Sequence, residues 1–159
     1  MNIWETKRWK RFYKNTVYRN GLRVICDKNI HPEVRRAVKE FVSWLRKEFK
    51  FPKRVRMYIK AQRRIKSKKG DMVCGTFFRP ADRNIEPYIR VATGDYEELV
   101  VKRGKDNALA AVLFSIAHEL THYFQWLNDI DLTLIGEERQ ASVYERKIVD
   151  FYAETRDHP

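Results

Sequence analysis

The feature that most constrains the fold of this 159-residue chain is a long apolar stripe in its last third. From Asp106 onward, apolar side chains recur every three or four residues, which is the spacing of one face of an α-helix. The stripe consists of Leu109, Val112, Leu113, Ile116, Leu120, Phe124 and Leu127. Asp106 is a suitable N-cap for this helix. Because a helix with one apolar face must bury it against a second layer, the chain is expected to fold around this segment.

The sequence His118-Glu119-Leu120-Thr121-His122 lies in the middle of the same helix. Residues four apart stand one above the other on a helix, so both imidazoles can reach one metal ion. Glu119 follows His118 directly, and its carboxylate can take a proton from water activated by that ion. Two histidines and a glutamate are costly to bury in an apolar run unless they share a partner. The alternative interpretation is a pair of ordinary, partly exposed helix histidines.

A catalytic zinc ion usually has three protein ligands, so a further ligand must come from another segment. Residues 128–136 are predicted to form a loop closed by Gly136, and a last helix is predicted over residues 137–155. The carboxylates of its first half are Glu137, Glu138 and Glu145. We expect Glu138 to be the ligand, because it follows the turn that brings the helix back antiparallel and because the small Ala141 permits close approach. Glu137 and Glu145 remain alternatives.

With these residues, the segment resembles the gluzincin branch of the zinc metallopeptidases, whose signature is HExxH with a downstream glutamate. The compact size and the short gap to Glu138-Arg-Gln-Ala141 are similar to minimal gluzincins and to ImmA/IrrE-type proteases. The resemblance implies that Zn²⁺ is held by His118, His122 and Glu138, and that Glu119 is the general base. It covers residues 106–152 well. Ser142 stands where a related HtpX-type pattern has an aspartate.

A protease of this kind also needs an electrophilic group near the reacting carbonyl and an edge strand that aligns the peptide. Tyr144 is the candidate for the first role, with Tyr152 behind it, although simple core packing is the alternative for each. The predicted strand at residues 88–92 is the candidate substrate edge. Asp129 and Asp131 are candidates to orient a ligand histidine, with a role in a turn as the alternative.

The first hundred residues are expected to supply the second layer. An apolar stripe predicts a helix over residues 31–49, and alternating polarity predicts a strand over residues 55–60. Further strands are predicted at residues 22–26, 72–78 and 88–92. This order of helix, strands and two C-terminal helices predicts an α+β, zincin-like fold in a single domain over residues 1–159. Residues 1–20 form a basic and aromatic N-terminal arm, including Trp4, Trp9 and Tyr18, that is expected to pack on the domain.

Charge is distributed unevenly along the chain, whose formal net charge is +12. Residues 1–69 hold 23 Lys and Arg against 5 Asp and Glu, a net charge of +18, whereas residues 70–159 hold 10 against 16, a net charge of −6. A basic half suggests an anionic partner such as nucleic acid. The densest basic run, residues 63–70, is expected to form a solvated hairpin tip or loop.

Together these patterns predict a zinc-dependent metalloprotease that acts on a protein or peptide substrate. The alternative is a non-proteolytic zincin-like module whose basic half, residues 1–69, binds nucleic acid or a partner protein. The sequence has no apolar run long enough to cross a membrane, and we expect no secretory signal at Met1. The two cysteines, Cys26 and Cys74, do not make a disulfide framework. We therefore expect a cytoplasmic protein.

Overall fold

The computed structural model describes residues 1–14 and 21–159. Its strands are β1 (Leu22–Cys26), β2 (Val55–Lys60), β3 (Ile65–Lys66), β4 (Met72–Val73), β5 (Gly75–Phe78) and β6 (Tyr88–Ala92). The main sheet has the order β1-β2-β6-β5, in which β1, β2 and β6 are parallel and β5 is antiparallel to β6. β3 and β4 form a separate antiparallel hairpin.

The helices are α1 (Pro32–Glu48), α2 (Tyr96–Arg103), α3 (Lys105–Leu127) and α4 (Leu134–Ala153). α3 contacts the sheet strands β5 and β6 as well as each of the other three helices, so it is the central element of the core. Most of its side chains are buried. Alternate residues of the sheet, such as Leu22, Met57 and Ile89, belong to the same continuous core as the apolar faces of α1 and α3.

The predicted α+β class is confirmed, and so are several elements whose patterns are strongly periodic. The strands predicted at residues 22–26, 55–60 and 88–92 are present with those bounds. The first predicted helix begins at Pro32, where the Nδ1 atom of His31 accepts a hydrogen bond of 3.1 Å from the backbone N–H of Glu33. These elements could be predicted from local sequence, because the apolar residues in each recur with the period of a strand or of a helix.

The segment predicted as one strand over residues 72–78 is two strands that belong to different sheets. β4 pairs with β3, whereas β5 pairs with β6. Cys74 lies between them, and its carbonyl oxygen accepts a hydrogen bond of 2.8 Å from the backbone N–H of Ala92. The chain therefore changes from pairing with β3 to pairing with β6 at Cys74. The alternation of polarity within residues 72–78 does not reveal this change.

The prediction of two C-terminal helices is wrong, because the described chain has three after the sheet. Gly104, with a positive φ of 84°, ends α2 and also precedes α3. Asp106 consequently lies in the first turn of α3 and is not its N-cap. The predicted loop over residues 128–136 is also too long, because the Thr133 hydroxyl oxygen accepts a 3.0 Å hydrogen bond from the backbone N–H of Gly136 and caps α4.

The described part of the N-terminal arm packs on the domain, as predicted. Ile3, Trp4 and Trp9 are buried. The indole N–H of Trp4 donates a 3.0 Å hydrogen bond to the hydroxyl of Thr121, inside the motif of α3. Tyr18 and the rest of residues 15–20 lie outside the described residues.

The densest basic run forms the end of the β3–β4 hairpin, which confirms the predicted hairpin tip. The backbone N–H of Ser67 donates to the carbonyl oxygen of Asp71 at 2.8 Å, and Gly70 adopts a positive φ of 92° in the turn. Within the described part of the chain, no helix has the length and apolar character needed to cross a membrane.

Candidate metal centre

Three predicted ligand side chains meet where α4 packs along α3. The Nε2 atom of His118 lies 3.0 Å from Oε2 of Glu138, and the Nε2 atom of His122 lies 2.9 Å from Oε1 of the same carboxylate. The ligand atoms of these three residues all lie within 4.8 Å of one another. Ligand atoms bound tetrahedrally to zinc at about 2.0–2.1 Å are roughly 3.3 Å apart. The donor set and its spacing therefore fit a zinc ion.

The other nitrogen of each imidazole is held by a hydrogen-bond acceptor. The Nδ1–H of His118 donates to Oε2 of Glu145 at 3.0 Å, and the Nδ1–H of His122 donates to Oε1 of Gln125 at 2.8 Å. The amide N–H of Gln125 in turn donates to the backbone carbonyl of Glu137 at 3.0 Å, which fixes the orientation of the amide. Each neutral imidazole consequently carries its lone pair on Nε2, as a metal ligand requires.

This arrangement has a consequence for the charge at the centre. Two imidazole lone pairs face the oxygens of Glu138, and acceptor atoms at this distance repel each other unless a cation or a proton lies between them. Burial lowers the pKa of His122 below its ordinary value, which disfavours a proton on that ring. A shared metal cation satisfies both imidazoles and the carboxylate together.

Glu119 lies beside this centre and is only 7% exposed. Burial, against the influence of His118 and with the help of the nearby carboxylates of Glu138 and Glu145, raises the pKa of its carboxyl group to about 7. A carboxyl group with a pKa near neutrality can both accept and release a proton under ordinary conditions. β5 comes close to it, since a Cβ atom on Gly75 would lie only 3.0 Å from Cγ and Oε2 of Glu119.

A cleft passes the candidate ligands on both sides. One cavity, of about 460 Å³, extends along β5 beneath the β3–β4 hairpin, and a second, of about 610 Å³, extends toward Ser115 and Ser142. Gly75, Glu119 and Glu138 line both cavities, as does His122. The two cavities thus meet at the centre, which leaves room for a chain-like ligand to pass across it.

The carboxylates of Glu137 and Glu145, the alternatives for the third ligand, form hydrogen bonds elsewhere. The Glu137 carboxylate accepts two hydrogen bonds from the guanidinium group of Arg79, at 2.9 and 3.0 Å, and is buried. The Glu145 carboxylate contacts Nδ1 of His118, the nitrogen that faces away from Glu138, and so orients this candidate ligand. Of the three glutamates, Glu138 is the one whose carboxylate contacts both imidazoles through Nε2.

The structure places both candidate tyrosines away from the cleft. The Tyr144 hydroxyl donates a 2.9 Å hydrogen bond to the carbonyl oxygen of Met1, and the Tyr152 hydroxyl contacts the guanidinium group of Arg156. Neither tyrosine is among the residues that line the two cavities. We therefore assign no electrophilic role to Tyr144.

The aspartates predicted to orient a ligand histidine do not do so. Asp129 has a positive φ of 52° and pairs with Arg83 at 3.5 Å, and Asp131 is exposed. Instead of these aspartates, Glu145 and Gln125 accept the hydrogen bonds that orient His118 and His122. Sequence reasoning missed Gln125, although its position three residues after His122 puts it on the same helix face.

The predicted substrate edge also needs correction, because β6 is an interior strand. It pairs with β2 on one side and with β5 on the other. Its backbone groups are consequently used within the sheet. β5 is the edge strand on the side of the candidate metal centre.

Comparisons of this chain with protein-family models, with curated proteins and with solved structures found no match. The function is therefore inferred from the residues of the centre and from their geometry.

Proposed function

We propose that this protein is a zinc-dependent metalloprotease of the gluzincin type. His118, His122 and Glu138 hold the metal, and Glu119 is the general base. The observation that carries the proposal is that two imidazole Nε2 atoms converge on one carboxylate beside a buried glutamate. The cleft that passes this group gives a substrate access to it.

The chemistry that zinc supplies when bound is Lewis acidity toward water and toward a peptide carbonyl. The Glu119 carboxylate accepts the proton that the attacking water loses, and delivers it to the nitrogen of the departing amine. A carboxylate held in this position can carry out both transfers. Glu145 and Gln125 keep the two imidazoles in one tautomer and one orientation throughout.

β5 is the strand proposed to align the substrate. It is the edge of the main sheet, it lines the first cavity, and Gly75 brings it against Glu119. An extended peptide can add to such an edge through backbone hydrogen bonds, with its alternate side chains facing the cleft. This geometry favours a flexible or unfolded segment of a protein as the substrate.

Removal of the metal tests this proposal directly. We expect the purified protein to contain one zinc ion per chain and to cleave members of a quenched fluorescent peptide library. A chelator should abolish cleavage, and stoichiometric zinc should restore it, because the ion activates the water. Metal analysis and fluorescence measure the two quantities. A protein that binds no zinc, or cleavage that persists after complete metal removal, would contradict the proposal.

Substituting Gly75 tests how closely β5 must approach the general base. In Gly75→Ala, the new Cβ would lie 3.0 Å from Oε2 of Glu119, so the carboxylate or the strand must shift by a few tenths of an ångström. We expect kcat/KM for peptide cleavage to fall by about tenfold, since misplacement by 1 Å costs roughly 100-fold. Zinc content should not change, because no ligand is touched. Val101→Ala, at an exposed position of α2 outside the cleft, is the control, and an equal loss in both variants would refute this role.

A further inference from the structure

The outer face of the main sheet has an unusual composition. The strands β1, β2, β5 and β6 contain no Asp or Glu. Their core-facing residues are apolar, whereas most of the alternate positions carry cations or aromatic rings that stay partly or fully exposed. These outward positions include Arg23, Arg56, Tyr58, Phe78, Tyr88 and Arg90. The other alternate positions are Ile25, Thr76 and Ala92.

The strand register arranges these side chains in two rows across the sheet. In one row Arg23, Arg56, Tyr88 and Phe78 are neighbours, and in the next row Tyr58 pairs with Arg90. The ring of Tyr88 stacks on Phe78 with centroids 5.0 Å apart, and its centroid lies 6.2 Å from that of Tyr58. Cationic and aromatic groups are therefore interleaved over four strands.

Some of these cations have acidic partners, and others do not. Arg56 forms an ion pair with Glu86 from the loop before β6. Among the described residues, Arg23 and Arg90 have no carboxylate partner, and Arg90 donates only to the Thr76 hydroxyl and to the carbonyl oxygen of Lys66. The face consequently keeps an excess of positive charge.

We propose that this outer sheet face binds single-stranded nucleic acid. Bases of a single strand can stack on exposed aromatic rings, while arginine and lysine side chains pair with the phosphates. A duplex keeps its base faces stacked on one another, so it cannot use the rings in this way. Arg23, Arg56 and Tyr58 of this face lie outside the cleft, so binding to them can be tested separately from the proposed protease site.

The position of this face suggests how the two activities are connected. Phe78, Tyr88 and Arg90, at one end of it, also line the first cavity of the cleft. A bound strand would therefore run toward the metal centre around β5. Proteins attached to that strand would be brought close to the cleft.

The experiment measures fluorescence anisotropy of labelled oligothymidylate and of a labelled duplex, each about 20 nucleotides long, over a series of salt concentrations. The double variant Arg23→Ala/Arg90→Ala, which removes the two cations without a carboxylate partner, should bind the single strand more weakly. It should also reduce the slope of log affinity against log salt concentration by about 1.4, since each phosphate contact contributes about 0.7. The matched control is Arg139→Ala/Arg146→Ala on the exposed side of α4, which removes the same charge. In this control variant, the slope of log affinity against log salt concentration should stay at the wild-type value.

The aromatic contribution is tested at Tyr58. Tyr58→Leu should weaken binding at least about fivefold, whereas Tyr58→Phe should keep it, because stacking needs the ring and not the hydroxyl. Circular dichroism and zinc content check that each variant is folded. Equal effects of the two double variants, tighter binding of the duplex than of the single strand, or wild-type affinity in Tyr58→Leu would each overturn the proposal.

Discussion

Replacing Glu119 with glutamine is expected to lower kcat/KM for peptide cleavage by about 10²- to 10⁴-fold, which is the usual contribution of a general base. Glutamine has nearly the same shape as glutamate but has no carboxylate to accept a proton. Zinc should stay bound at one ion per chain, because His118, His122 and Glu138 are unchanged. The variant thus separates the proton transfer from the metal site.

The measurement combines steady-state cleavage of a quenched peptide with metal analysis of the same sample. Glu154→Gln, at the exposed end of α4, is the control for loss of one negative charge. If Glu119→Gln cleaves at the wild-type rate, the mechanism is wrong. If it loses zinc together with activity, Glu119 is part of the ligand set and not the base.

Replacing Glu138 with alanine is expected to weaken zinc binding by more than about 100-fold and to remove cleavage with it. The carboxylate contacts both imidazoles, so its loss leaves only the two imidazole nitrogens as ligands for the ion. Residues that only support a ligand usually cost about 10- to 100-fold in metal affinity. Glu145→Gln, which keeps the shape of the side chain behind His118, should therefore lie between the wild type and Glu138→Ala.

Competition with a fluorescent zinc indicator gives the three affinities on one scale, and circular dichroism checks that each apo variant is folded. Full zinc retention in Glu138→Ala would show that the third ligand is Glu137 or Glu145 and not Glu138. A larger loss in Glu145→Gln than in Glu138→Ala would reverse the roles assigned to these two carboxylates.

The sequence was most informative where the signal is local. His118 and His122 are four residues apart on one periodic helix, so their shared face follows from helix geometry alone. Glu138 could be selected from three glutamates because the turn before α4 and the small Ala141 restrict which of them can approach α3. The residues behind the histidines were harder to find, and only Gln125 had a signal in its spacing from His122.

Nonlocal features could not be derived in this way. The position of β6 inside the sheet depends on pairing with β2 and β5, and the pattern of β6 is the same for an edge and for an interior strand. The ion pair between Arg79 and Glu137 joins residues far apart in sequence. α2 was missed because its exposed residues, such as Val101, weaken the periodic signal between two glycines.

The free edge of β5 has a consequence for how this protein behaves at high concentration. Unpaired backbone groups at a sheet edge can pair with the same edge of another molecule and begin aggregation. β5 is only four residues long, and the neighbouring hairpin places Lys68 over the ring of Phe78 at 4.3 Å. Short length and adjacent lysines are common ways to discourage such pairing. The edge proposed to align a peptide can therefore stay unpaired, while pairing of two copies of the chain through it is discouraged.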